Sequence, residues 1–226
     1  MLKCASLLST CCLALVASHA NAAVTFITGC GYNIQQSGEY HLAQDLICGN
    51  SDANDITAND VELHLGGHTI TGPGSYTGYV GVQTYTSNVS IHGPGTITGF
   101  GIGIEMDFSS GGNLIVNITA TGNAMGIGVF GGLGTTLISN TTRNNTANGV
   151  MIYGQTRQNT VRANEASGNA GAGIFVETYS TSNLVQANQA HNNYTDLVDT
   201  NLGTCVNTWK SNHFGTTGGP DAACIK

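Results

Sequence analysis

Glu105 and Asp107 stand two residues apart in Gly103-Ile104-Glu105-Met106-Asp107. On an extended strand, residues at that spacing share a face, with Cα atoms about 6.6 Å apart. Two carboxyl groups so placed suit acid/base work on a glycosidic bond. No third group in the sequence is placed to tune them, so they are candidates for catalysis without a visible partner. Aligning the strands that begin at Gly81, Gly103, Gly126, Gly149 and Gly173 extends the picture. One outward column contains Gln83, Glu105, Gly128, Met151 and Phe175; the next contains Tyr85, Asp107, Phe130, Tyr153 and Glu177, and Tyr179 prolongs the face. Aromatic rings interleaved with carboxylates can stack on sugar rings and accept hydroxyl hydrogen bonds. Rings can also simply pack on one another down such a column. Three coils separate Asp107 from Glu177, roughly 14 Å, so those two cannot serve one reaction.

Three other constellations carry less. His64 and His92 point outward from neighbouring coils near Glu62 and Ser90, but a metal needs three or four converging ligands, and no metal site is expected. His68, between Gly67 and Thr69, suits a structural hydrogen bond in a turn. Thr69/Thr71, Thr96/Thr98 and Thr119/Thr121 form a Thr-x-Thr array of the kind found on flat ice-binding faces, but it stops at Arg143, and Thr is a good strand residue anyway. Five Asn-x-Ser/Thr triplets, at Asn88, Asn117, Asn140, Asn144 and Asn193, match the glycosylation pattern.

The elements that must position these residues are announced by a repeat. Asn117, Asn140, Asn164, Asn188 and Asn212 recur at intervals of 23, 24, 24 and 24. Two apolar columns keep step: Ile115, Ile138, Val161, Val185 and Trp209, and Ile104, Ile127, Val150, Ile174 and Leu197. A fixed period in the twenties with matched apolar positions marks stacked coils of a parallel β-solenoid. Asn at a fixed turn adopts left-handed geometry and passes amide hydrogen bonds along the stack, so Asn117 and Asn140 are expected to be occupied as ladder members. Helices are excluded by the frequency of Gly and Asn in every period. The grammar gives an all-β, single-domain solenoid of roughly seven coils, a rod roughly 30–35 Å long.

Composition agrees. Charged residues are 8% of the chain against about 25% in ordinary domains, and there are 32 glycines. The net charge of −7 excludes a nucleic-acid partner and disfavours strongly anionic polymers. Residues 1–22 have the layout of a secretory signal: Lys3, an apolar run from Leu7 to Val16 too short to span a membrane, and Ala20-Asn21-Ala22 as the cleavage site. Cys4, Cys11 and Cys12 would leave with it. Four cysteines allow three pairings, of which Cys30–Cys48 and Cys205–Cys224 close short loops at the two ends and fit an oxidising compartment. Residues 23–60 are expected to cap the entry, 61–200 to form coils and 201–226 to cap the exit, with Trp209 covering the open core.

Cys30-Gly31, Leu63-His64-Leu65-Gly66-Gly67-His68-Thr69-Ile70, the Gly-Ile and Asn coils and Asn207-Thr208-Trp209-x-x-Asn212-x-Phe214 together resemble secreted right-handed parallel β-helix repeat proteins of the pectin-lyase-like fold. That resemblance implies the fold over nearly all of residues 23–226. It implies no single activity, because the fold hosts lyases, hydrolases, epimerases and non-enzymes alike. The polygalacturonase motifs Asn-Thr-Asp, Asp-Asp, Gly-His-Gly and Arg-Ile-Lys are missing, as is the epimerase motif Asp-Pro-His-Asp. The expectation is therefore a secreted polysaccharide-binding or surface-associated module using Tyr85, Glu105, Asp107, Phe130, Tyr153, Phe175, Glu177 and Tyr179, with no cofactor. A carbohydrate-active enzyme working through Glu105 and Asp107 is the rival, and a purely structural envelope protein the third reading.

Overall fold

The computed structural model describes residues 23–107, 111–203 and 205–226. The proposed signal segment, residues 1–22, lies outside the described residues. Among the described residues every strand pairing is parallel, and the strands form a nine-stranded sheet and a fifteen-stranded one. The larger sheet bends to supply two sides of a three-sided coil, because Val89–Thr98 and Leu114–Thr121 run unbroken around one corner. The chain winds about eight turns, slightly more than the seven expected. The extra depth comes from the ends: Thr25–Ile27 already pairs with Gly38–Leu42, and Tyr32–Ile34 with Asn54–Ile56, inside the stretch assigned to an entry cap.

Like residues stack because each coil sits one strand spacing above the last. Ile104, Ile127, Val150, Ile174 and Leu197 are in register and wholly buried. The second column differs from the expected one at one place. Ile115 pairs with Leu137, which pairs with Val161, whereas Ile138 lies beside Val116 and Arg162 on the outer surface. That coil is 22 residues long at this corner, from Ile115 to Leu137. The same shift removes Asn117 from the ladder: Ile118 is the residue whose backbone N–H donates to Asn140 Oδ1 (3.0 Å), and Asn117 is an exposed bulge residue with φ of 59°.

The ladder itself is threefold. Asn140, Asn164, Asn188 and Asn212 line one corner, Asn159, Asn183 and Asn207 a second, and Asn145, Asn169 and Asn193 a third. In each, Nδ2 donates to the next Oδ1, and Oδ1 also accepts the backbone N–H of the previous Asn; in the first and third ladders Nδ2 donates to a strand carbonyl as well. Buried amides that satisfy turn backbone in this way replace the solvent the turns have lost.

The glycine at the head of each coil has a steric cause. A Cβ at Gly126 would lie 2.5 Å from the carbonyl oxygen of Gly149 and 2.9 Å from Asn145 Nδ2, and Gly81, Gly103, Gly149 and Gly173 meet the equivalent carbonyl at 2.4–2.7 Å. The ends are closed as expected. Cys30 is bonded to Cys48 and Cys205 to Cys224. Trp209 lies over the last coil, and its Nε1–H donates to the fully buried Asp199 Oδ2 at 2.8 Å. Asn201 and Asn207 also donate to that carboxylate, so it organises the closure from inside.

Candidate functional site

The carboxylate–aromatic face is the outer surface of the nine-stranded sheet, on Val80–Thr84, Ile102–Asp107, Met125–Phe130, Val150–Tyr153 and Ala172–Val176. The two predicted columns are in register: Gln83, Glu105, Gly128, Met151 and Phe175 in one, Asp107, Phe130 and Tyr153 in the other. Asp55 extends the first column at its N-terminal end, beneath Gln83.

At the centre, Tyr153 Oη donates to Glu105 Oε1 at 2.5 Å. The two residues stand two coils apart, about 9.6 Å along the stack, and in adjacent columns. The reach is possible because the intervening residue is Gly128, and the Tyr153 ring fills the space a side chain would take there: a Cβ would lie 3.4 Å from Tyr153 Cε1 and 3.6 Å from its oxygen. Gln83 Nε2 donates to the other Glu105 oxygen at 3.3 Å, and the Gln83 amide also lowers the neighbouring Asp107 carboxyl. The Phe130 ring lies 4.7 Å from that of Tyr153 at 32° and packs over the backbone of Gly154, where any Cβ would strike it.

This setting disfavours charge. Burial pushes the Glu105 carboxyl up, against the lowering effect of the Tyr153 hydrogen bond, and the negative charges of Asp107 and Asp52 add to the rise. Asp107 is raised by burial, opposed by the Gln83 amide. The Tyr153 phenol is pushed well up by burial, then by donating to Glu105, then by the surrounding carboxylates. Tyr85 is raised by burial and next by Asp55 and Asp107. Among the described residues, the buried oxygens Asp55 Oδ1 and Asp107 Oδ1 lack a hydrogen-bond partner.

Not every expected residue joins this centre. Glu177 stands beside Tyr153, but its Oε2 accepts the backbone N–H of Gly154 at 2.8 Å, so it clamps two coils together. Phe175 continues the column next to Met151, away from the carboxylates. Tyr179 lies in the turn after Ala172–Val176 with φ of 69°, off the sheet face. Gln83 and Asp55 were missing from the expected binding set. They sit 28 residues apart across the long rung that carries residues 73–80, and that interruption hides the alignment from a fixed-period comparison.

On the larger sheet, His64 and His92, expected only to point outward from neighbouring coils, share one register and stack with ring centroids 4.9 Å apart, and His41 joins them at 4.5 Å from His64. Its strand, Gly38–Leu42, lies in the stretch assigned to a cap, so the third histidine escaped the spacing argument.

A three-sided stack of parallel coils closed by disulfides defines the chain as a parallel β-solenoid. The model of the right handed beta helix region matches residues 47–217, and the chain belongs to that family. Among curated proteins, none matches the sequence. The solved Dettilon tailspike protein is 17% identical over 84% of this chain with a TM-score of 0.65. The periplasmic alginate epimerase AlgG is 15% identical over 73% of this chain and 39% of its own, with a TM-score of 0.47. The A-module of the Azotobacter vinelandii mannuronan C-5 epimerase AlgE4 is 12% identical over 85% of this chain and 79% of its own, at a TM-score of 0.38. The chain spans only 42% of the tailspike chain, and the likeness to the tailspike shows the fold alone.

Proposed function

We propose that the outer face of the nine-stranded sheet binds a polysaccharide, centred on Glu105, Tyr153, Gln83 and Asp107, with Tyr85 and Phe130 as ring platforms. The observation that carries this is the Tyr153–Glu105 pair lying over Gly128 beside the Phe130 ring. It combines a flat apolar surface with hydroxyl-sized polar groups already oriented by the protein, which is what a sugar needs from a site. Asp52, Asp55, Glu105 and Asp107 make this end of the face acidic, so the polymer is neutral or carries amino groups rather than uronates. Export to an oxidising compartment accompanies this reading and is supported by the two disulfides. Among the described residues, no helix is long and apolar enough to cross a membrane.

The test is retention of the purified, disulfide-bonded protein on a polysaccharide array that includes neutral, amino and acidic polymers. A specific neutral or amino polymer should be retained, and Phe130→Ala and Tyr153→Ala should each weaken binding by about tenfold or more, equivalent to about 1.4 kcal/mol. Thr98→Ala, on another side of the coil, should leave binding unchanged. Absence of any retained polymer, or equal binding by all four proteins, would sink the proposal.

A second reading is favoured by one specific observation, the raised carboxyls of Glu105 and Asp107 on one strand face. A carboxyl that holds its proton more tightly than usual is suited to act as a general acid on a glycosidic oxygen while its neighbour acts as base. Reducing-sugar release from a neutral or amino polymer that disappears in Glu105→Gln would establish it.

A further inference from the structure

The larger sheet carries a cluster that the polysaccharide reading does not use. Glu39 and His41 lie two apart on Gly38–Leu42, and Glu62 and His64 occupy the matching positions on Val61–His64. One coil further, His92 stands over His64. The three imidazoles therefore form a column beside a column of two carboxylates. His41 Nε2 is 2.6 Å from Glu39 Oε1, and His64 Nε2 is 3.9 Å from the same oxygen and 3.0 Å from Glu62 Oε1; His92 Nε2 is 3.3 Å from Glu62 Oε1. Ligand atoms of Glu39, His41 and His64 all lie within 4.8 Å of one another.

We propose that Glu39, His41 and His64, with Glu62 as fourth ligand, bind a divalent first-row transition cation such as Zn2+. Three observations carry this. The first is spacing. Tetrahedral ligands about 2.0–2.2 Å from zinc are about 3.3 Å apart; the His41–Glu39 and His64–Glu39 pairs at 2.6 and 3.9 Å bracket that edge, and Glu62, 3.0 Å from His64 but outside the 4.8 Å cluster, must swing in by a rotamer change to complete the set. The second is His64 Nε2. It is sealed from solvent, and although Glu62 Oε1 is close, the contact lacks hydrogen-bond geometry, leaving the nitrogen without a hydrogen-bond partner among the described residues. A buried ring nitrogen in that state is costly, and a cation on its lone pair removes the cost. The third is charge and ligand type. Two carboxylates balance a 2+ ion, and two neutral imidazoles with two carboxylates make a mixed nitrogen–oxygen set, suited to Zn2+ or Cu2+ rather than to Ca2+ or Mg2+, which prefer oxygen alone.

The side chains are 27–49% exposed, so an ion reaches the cluster from solvent, and a small rotamer change opens the covered His64 Nε2 to it. His64 Nε2 is shared by both possible ligand sets, Glu39/His41 on one side and Glu62/His92 on the other. One chain therefore holds one ion, and His92 acts by packing on His64 and holding Glu62. Stacked coils supply the rigidity that such a site needs, since both ligand strands are locked in register by the ladder of backbone hydrogen bonds.

Calorimetric titration of the full, tag-free protein with ZnCl2 tests the site. One ion per chain should bind saturably. His64→Gln should weaken binding by at least about 100-fold, and His41→Gln and Glu62→Gln by about 10–100-fold each. His191→Gln, whose ring faces Glu165 on another side of the coil, should bind as the unaltered protein does. With CuCl2 in place of zinc, electron paramagnetic resonance should show nitrogen coupling from two imidazoles, reduced to one in His64→Gln. Thermal melts confirm that each variant is folded. Zinc binding no tighter than that of His64→Gln, binding lost equally in His191→Gln, or a copper spectrum without imidazole nitrogen would overturn the assignment. The outcome is independent of polysaccharide retention, because the two sites lie on different sheets.

Discussion

Replacing Tyr153 by Phe removes one oxygen and keeps the ring against Phe130, so it isolates the hydrogen bond to Glu105. Hydrogen bonds to charged groups are worth about 1.5–3 kcal/mol. Both partners here are partly solvated, and water replaces part of what is lost, which brings the expected cost at pH 7 to about 1 kcal/mol, or a melting-point fall of about 2–4 °C for a chain of this size. The pH dependence has a definite sign. Glu105 is held above its ordinary carboxyl value, chiefly by burial. The folded state thus keeps the proton that the unfolded state gives up. Stability from this group is complete below the ordinary value of 4.5 and declines as pH rises through the higher folded value. Tyr153 opposes that decline, because its hydroxyl favours the ionised carboxylate. Tyr153→Phe therefore steepens the loss above 4.5 and costs little at pH 4, where Glu105 is protonated in both states. Urea titrations at pH 4 and pH 7 on the disulfide-bonded protein, with Glu105→Leu completing a double-mutant cycle, measure this directly. A coupling below about 0.5 kcal/mol at pH 7, or an equal loss at both pH values, would refute the account of the site.

Other positions test the scaffold. Gly126→Ala puts a methyl group 2.5 Å from a carbonyl oxygen of the next coil and should destabilise by about 3 kcal/mol or prevent folding; near-normal melting would contradict the close coil contact. Asn164→Ala removes donors to Leu137 and Asn188 and the acceptor for Asn140, all buried, and should cost about 2–4 kcal/mol by thermal or urea unfolding. Burial raises Asp196, but hydrogen bonds from Asn193, Gly215 and Thr216 outweigh it and hold the carboxyl below its ordinary value. Its stabilisation is present above 3.8 and lost as pH falls through the lower folded value, so Asp196→Asn should lose stability at pH 7 and flatten the acid limb of the melting curve. Asn117, in an Asn-x-Thr triplet and exposed on its bulge, should be glycosylated in a host with that machinery, whereas the buried Asn140 should not; glycopeptide mass spectrometry decides.

Much of the fold was legible in the residues because a solenoid repeats in space what it repeats in sequence. The column from Ile104 to Leu197, the Gly-led strands, the Trp209 closure and the two disulfides all follow from local spacing. Legibility failed where coil length changed. Around Asn117 one coil is 22 residues long, which displaced Ile138 and Asn117 from their assigned columns. The long rung at residues 73–80 hid Asp55 beneath Gln83, and the early coils at residues 25–56 hid His41 and Glu39.

Sequence alone determined the stacking, since apolar residues at a constant interval can bury themselves only by standing over one another. Tertiary structure decided which polar residues act together. Tyr153 meets Glu105 across 48 residues because Gly128 between them has no side chain, and three histidines converge because parallel coils lay His41, His64 and His92 in one line. A period indicates which residues share a column. Whether a side chain crosses to the next column, and which atoms it then touches, depends on the width left by its neighbours.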